Sequence, residues 1–359
     1  MWSKVLFGVR QNVLALVALC LSLFSPKGVP QVVALPGKAG QDAPPKAERI
    51  AEHTAGQSEA NPRTAPAALA TSGFSDATQL QVAGPLVLFH FEKAFPLPAD
   101  ARPTALAVDP RGWLYVTDVA RNRVLRVASD GDSTLEVGGY GWGREQFDRP
   151  ADVCAANGLD VYICDFNNNR LERYDKDLNF LASLPGHELD PPWTFGYPVS
   201  VAQAEHGDVF LAERENRRVI RFDALGQPVD SFGDIESGEG QLSEPTRLEI
   251  DGANRVVVVD SVAHRVTVFD FFGNYLGSYG QGVLQKPVGL ACLGDSLVFV
   301  ADLEKGLVTF YRGRPGTGTF LSGPPRLPVD LAVHGRRLFV LDAAEPQILR
   351  YDVDVQLSP

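Results

Sequence analysis

The alternation of apolar and polar positions in this chain repeats one pattern. In LYVTDVARNRVLRV (114–127) an apolar run ends on an acid, Asp118, and Arg123 opens a second apolar run five residues later. Such a pair predicts a strand, a tight turn and its hairpin partner. The pattern returns in DVYICDFNNNRLERY with Asp165, DVFLAERENRRVIRF with Glu213 and RVVVVDSVAHRVTVF with Asp260. It returns again in SLVFVADLEKGLVTFY with Asp302 and RLFVLDAAEPQILRY with Asp342. The acids follow one another at steps of 47, 48, 47, 42 and 40 residues. A proline precedes each: Pro103, Pro150, Pro198, Pro245 and Pro287 by fifteen residues, Pro328 by fourteen.

A period of forty-odd residues with several strands per unit is the mark of propeller blades, so six copies predict an all-β, six-bladed β-propeller with four-stranded blades. In each blade the proline opens strand a, the acid ends strand b, strand c follows the turn and a looser strand d closes the unit. Strand b is apolar without a break in Val256-Val257-Val258-Val259, which predicts cover on both faces of the sheet. The apolar stretch Pro85 to Phe91 has no blade of its own, and the sixth blade ends near Val353 with no room for a strand d. Segment 85–95 is therefore expected to supply that outer strand and close the ring.

A carboxylate beside a tight turn accepts the turn's free N–H groups, and an Arg five residues on can bond it from across the turn. The repeated acid is thus read as structural. Leu307 and Gln347 stand at the Arg position in blades five and six, where the turns are expected to be held more loosely. The proline, the strand ending in Asp and the N-x-R-V motif (Asn122-Arg123-Val124, Asn169-Arg170-Leu171) resemble the NHL-repeat family. GGYGWGREQFDRP (138–150) and GEGQLSEP (238–245) are similar to its glycine-rich linkers. The resemblance spans about 85–353 and is most specific in blades one to four. It implies a six-bladed propeller in a family of binding scaffolds, RNA binders and a few enzymes, so function rests on the site.

Before the repeats, MWSKVLFGVRQNVLALVALCLSLF carries Lys4 and Arg10 ahead of an apolar core, 13–24. This reads as a secretory signal or an uncleaved membrane anchor over 1–34, which implies an extracytoplasmic location, periplasmic or secreted. Residues 35–79 are rich in Ala, Pro, Gly, Glu and Ser and are expected to form a disordered linker, with the propeller over 80–359. In the second blade, pairing Cys154 with Val161 and Cys164 with Ala151 would set the thiols on opposite faces, roughly 10 Å apart, so no disulfide is expected. A net charge of −11 argues against a nucleic-acid partner. The arginines Arg214, Arg217, Arg218 and Arg221 are interspersed with Glu213, Glu215 and Asp223 and read as a salt-bridged edge.

The candidate chemistry lies two residues past each blade proline: Ala105, Asp152, Ser200, Arg247, Gly289 and Asp330. Asp152, Arg247 and Asp330 fall in alternate blades around the axis. They could hold a cation such as calcium between the carboxylates (Asp152 and Asp330 being the candidate metal ligands), or an anion or polyol through Arg247. The alternative is a water-filled channel lined by solvated polar groups. Tyr140, Trp142, Trp193 and Tyr197 lie on the loops leading into blades two and three and suit a protein, peptide or glycan. His187, His206, His264 and His334 are spread around the ring and do not predict a zinc site. No cofactor is firmly implied. Two functions stay open: a monomeric binding scaffold working at the channel mouth, without catalysis, and a divalent-cation-dependent, lactonase-like hydrolase or lyase at the channel.

Overall fold

The structure is a computed structural model that describes residues 85–129, 131 and 134–356. The expected signal or anchor and the whole of the expected linker lie outside these residues. Among the described residues six sheets form; five are antiparallel and follow the chain order a-b-c-d, and the sixth takes its outer strands from elsewhere in the chain. Blade one runs through Pro103–Val108, Leu114–Asp118, Arg123–Val127 and Thr134–Gly138. The inner strand of every blade touches the inner strands of the blades on either side, and that of blade six touches that of blade one, so the ring is closed.

The strands form where the repeat places them. Val256 to Val259 are at most 1% exposed, and each such side chain contributes about 1.5–3 kcal/mol of burial. The core lies between the blades: Ala105, Tyr115 and Val124 of blade one pack against Val153, Ile163 and Tyr174 of blade two. Turns and linkers thereby collect on two faces. The upper face carries the b–c turns and the linkers into strand a; the lower face carries the a–b and c–d turns.

Leu86–Pro96 closes the ring as expected, pairing antiparallel with Gln347–Gln356 from Leu86 opposite Gln356 to Pro96 opposite Gln347. The sequence did not predict what lies outside it. Thr317–Phe320 pairs in parallel with Leu86 to Phe89, making the last sheet five-stranded. Blade five is left with a two-residue outer strand, Arg314–Pro315.

The register in blade two also differs from expectation. A bulge between Pro150 and Asp152 sets Cys154 opposite Tyr162 and Cys164 opposite Asp152. Both thiols therefore share one face and one apolar cluster, two residues out of step, and remain free. The same bulge follows the proline in all six blades.

Candidate functional site

The repeated acids are at most 1% exposed and act as clamps. Asp118 accepts the Ala120 N–H from its turn, the Arg102 N–H from the linker ahead of Pro103, and Arg123 Nε at 3.0 Å. Asp165 with Arg170 and Glu213 with Arg218 repeat the arginine contact. Arg265 departs from it, donating to the Gln241 carbonyl instead. The blades lacking this arginine are not held loosely. Asp302 accepts four backbone N–H groups, from Gln285, Lys286, Glu304 and Lys305, which take the place of the guanidinium. Three of the four arginines of blade three are salt-bridged, mostly to other partners than expected: Arg214 to Glu244, Arg218 to Glu213 and Arg221 to Asp208.

The four polar positions two past the prolines do converge, but not as an open mouth. Asp152, Ser200, Arg247 and Asp330 are all buried. Arg247 lies between the two carboxylates, with Nη1 2.5 Å from Asp152 and Nε 3.2 Å from Asp330, and its Nη2 donates to the Thr104 carbonyl at 2.9 Å. The guanidinium thus occupies the position that a cation between the carboxylates would need. Among the described residues, no three His, Cys, Asp or Glu side chains gather as a metal site.

These residues also join neighbouring inner strands. Asp330 accepts the Leu106 N–H of the next blade, Asp152 accepts the Val201 N–H and the Ser200 hydroxyl, and Ser200 Oγ accepts the Leu248 N–H. Gly289 lets the inner strands of blades five and six approach closely, since its absent Cβ would lie 2.7 Å from the Asp330 Cα. Burial pushes both carboxyls up and the arginine's charge draws them back, leaving each above the ordinary range. Burial disfavours the Arg247 charge, but Asp152 and Asp330 outweigh it and hold the group protonated.

This cluster divides the axis in two. Above it lies a depression of about 260 Å³, floored by apolar inner-strand residues and Phe166 and flanked by Arg149 and Arg214. Arg149 stacks 4.7 Å over the Phe166 ring, and Tyr197 packs against the same ring at 5.3 Å. Tyr140 and Trp142, on the linker that ends at Arg149, are 68% and 76% exposed. Trp193 is half-buried against the core of blades two and three.

Below the cluster lies a cavity of about 370 Å³ that the sequence reading did not identify. It is lined by the six residues four past each proline: Ala107, Cys154, Ala202, Glu249, Ala291 and Ala332. Five are small, and the sixth is a carboxylic acid. Burial, with Asp152 and Asp330 adding to it, pushes Glu249 up to about 8. Carrying the register two residues beyond Arg247 would have exposed this ring in the sequence.

The NHL repeat family matches residues 147–174, the end of the linker into blade two and its inner three strands. The protein brain tumor of Drosophila melanogaster is 29% identical over 147 residues, 40% of this chain and 14% of that protein. Human NHL repeat-containing protein 3 is 30% identical over 157 residues, 40% of this chain and 44% of that protein. The chain thus spans less than half the length of either relative. Among solved structures, a streptogramin B lyase has a TM-score of 0.51 at 13% identity, covering 75% of this chain and 98% of that one. A nidogen/laminin complex has a TM-score of 0.50 at 15% identity, covering 66% and 98%. One neighbour is an enzyme and the other a protein complex, so at such identities the likeness speaks for the fold alone. The chain carries the NHL repeat on a six-bladed β-propeller scaffold.

Proposed function

We propose that the propeller is a binding module whose upper face takes up a segment of a protein partner. The carrying observation is the pair of exposed rings, Tyr140 and Trp142, on the linker leading to the arginine-flanked depression. Large rings held on a backbone-bonded loop bury much area at little entropic cost, which suits them as anchors. The loop is pinned from below, because Arg170 donates to the carbonyls of Trp142, Gly143 and Gln146. Tyr197 extends the surface on the neighbouring linker, where its N–H is held by Asn169 Oδ1.

The test is selection of peptides from a random displayed library against the chain, with a glycan array beside it. Selected peptides should bind the Tyr140→Ala/Trp142→Ala variant at least tenfold more weakly. Peptides that bind both chains alike would sink the reading, and saturable array binding in their place would favour a glycan. The calcium-dependent hydrolase reading through Asp152 and Asp330 has the Arg247 guanidinium against it, and stoichiometric calcium in purified protein would restore it. An extracytoplasmic location is supported by the charged-then-apolar leader, 1–24. A reporter that is active only outside the cytoplasm, fused after residue 84, should be active, and its inactivity would remove that support.

A further inference from the structure

We infer that the lower cavity is a second binding site, specific for a small organic ammonium ion. The cavity is distinct from the upper face and separated from it by the Asp152–Arg247–Asp330 cluster. Its volume, about 370 Å³, falls in the range of small-molecule sites, roughly 300–1,000 Å³. The ring of alanines and one cysteine leaves the space open, and Val108, Ile250 and Val333 add apolar wall.

Into this space the fold places one carboxyl without a counterion: no ion pair among the described residues reaches Glu249. The floor cannot supply one, since Arg247 is already shared between two carboxylates and the cluster carries a net negative charge when ionised. Gln203, 8% exposed, lines the same cavity, and its Oε1 has no hydrogen-bond partner among the described residues. A carboxylate and an amide oxygen together ask for a ligand that donates hydrogen bonds and carries positive charge. The thiols do not redirect the site towards a soft metal, because burial pushes Cys154 up to about 12 and Cys292 well above its usual range. The apolar walls then favour an alkyl chain over a hydrated inorganic cation.

Binding should strengthen as Glu249 ionises, since the ligand must otherwise displace its proton. The groups that bear on Glu249 are Asp152 and Asp330, which oppose its ionisation, and Arg247, which favours it. His334, the two thiols and Asp109, itself paired with Arg111, line the same cavity.

Calorimetric titration of the full chain with methylammonium through n-hexylammonium, at pH 6.5 and 8.5, tests the assignment. The expected result is saturable 1:1 binding by a mid-length member, tighter at pH 8.5 and weakened at least tenfold in Glu249→Gln. Ala291→Leu, which fills the cavity from a different strand, should remove binding while leaving a cooperative unfolding transition. Absence of saturable binding across the series would overturn the inference. So would equal affinity in Glu249→Gln, or displacement by an equimolar concentration of potassium.

Discussion

Asn122 and Asn169 show what a single position in the repeat has to do. Each sits at positive φ, 51° and 52°, where a short polar side chain or glycine is tolerated best. Each side chain also accepts an N–H from the linker of the next blade, at Arg149 and Tyr197. The motif asparagine is therefore both a turn residue and a tie between blades. Arg247 carries a larger burden, because its one charge is shared between two buried carboxylates. Arg247→Met should cost about 3–5 kcal/mol, the usual penalty for removing one partner of a buried ion cluster. Part of that loss should return as pH falls and the carboxyls take up protons. Urea denaturation at pH 7 and pH 5 checks this, and a loss below about 1 kcal/mol would contradict the clamp role. Glu249 behaves in the opposite sense. Its pKa rises from an ordinary 4.5 to about 8 on folding, so the folded state holds the extra proton and stability falls as pH climbs between those values. Without ligand, Glu249→Gln should match the wild type near pH 4.5 and melt at a higher temperature by pH 9. A pH-independent difference in Tm would refute that assignment.

At the scale of the element, the proline-to-acid interval made the inner three strands of each blade readable. Proline opens strand a because the first position needs no ladder N–H, and the acid ends strand b because the turn and linker both need an acceptor. The outer strands were less legible. Blade five's outer chain, GRPGTGTF, has too little apolar alternation to assign it to a sheet, and its parallel partner lies about 230 residues earlier. The bulge after each proline was equally hidden, since a one-residue insertion leaves composition unchanged while shifting every later pair. Closure by Leu86–Pro96 was legible because an orphan strand and an incomplete blade imply each other. That strand carries Val87, Phe89 and Phe95, none more than 1% exposed, into the blade cores. Deleting residues 86–96 should abolish the cooperative thermal transition, as read by circular dichroism. An unchanged melting curve would show that closure is not needed.

Across the whole molecule, the sequence located the charged inner positions but not their depth. Alternate blades bearing Asp152, Arg247 and Asp330 could equally have bounded an open channel. The residues at the other three inner positions, Ala105, Ser200 and Gly289, are small, and the arginine's length spans the axis between the two carboxylates. The exposed linker rings were legible as candidates because aromatic residues there have no blade face to join. The pairing at the ring's seam has a mechanical consequence. Leu86 and Gln356, the two ends of the described closing pair, lie side by side. Pulling them apart loads that ladder one rung at a time, like peeling tape, instead of shearing all its bonds together. Force spectroscopy with handles on both chain termini should therefore record an early, low-force release of the first strand before the remaining blades give way. A single high-force rupture of the whole ring would show that the parallel strand outside it, Thr317–Phe320, locks the seam against peeling.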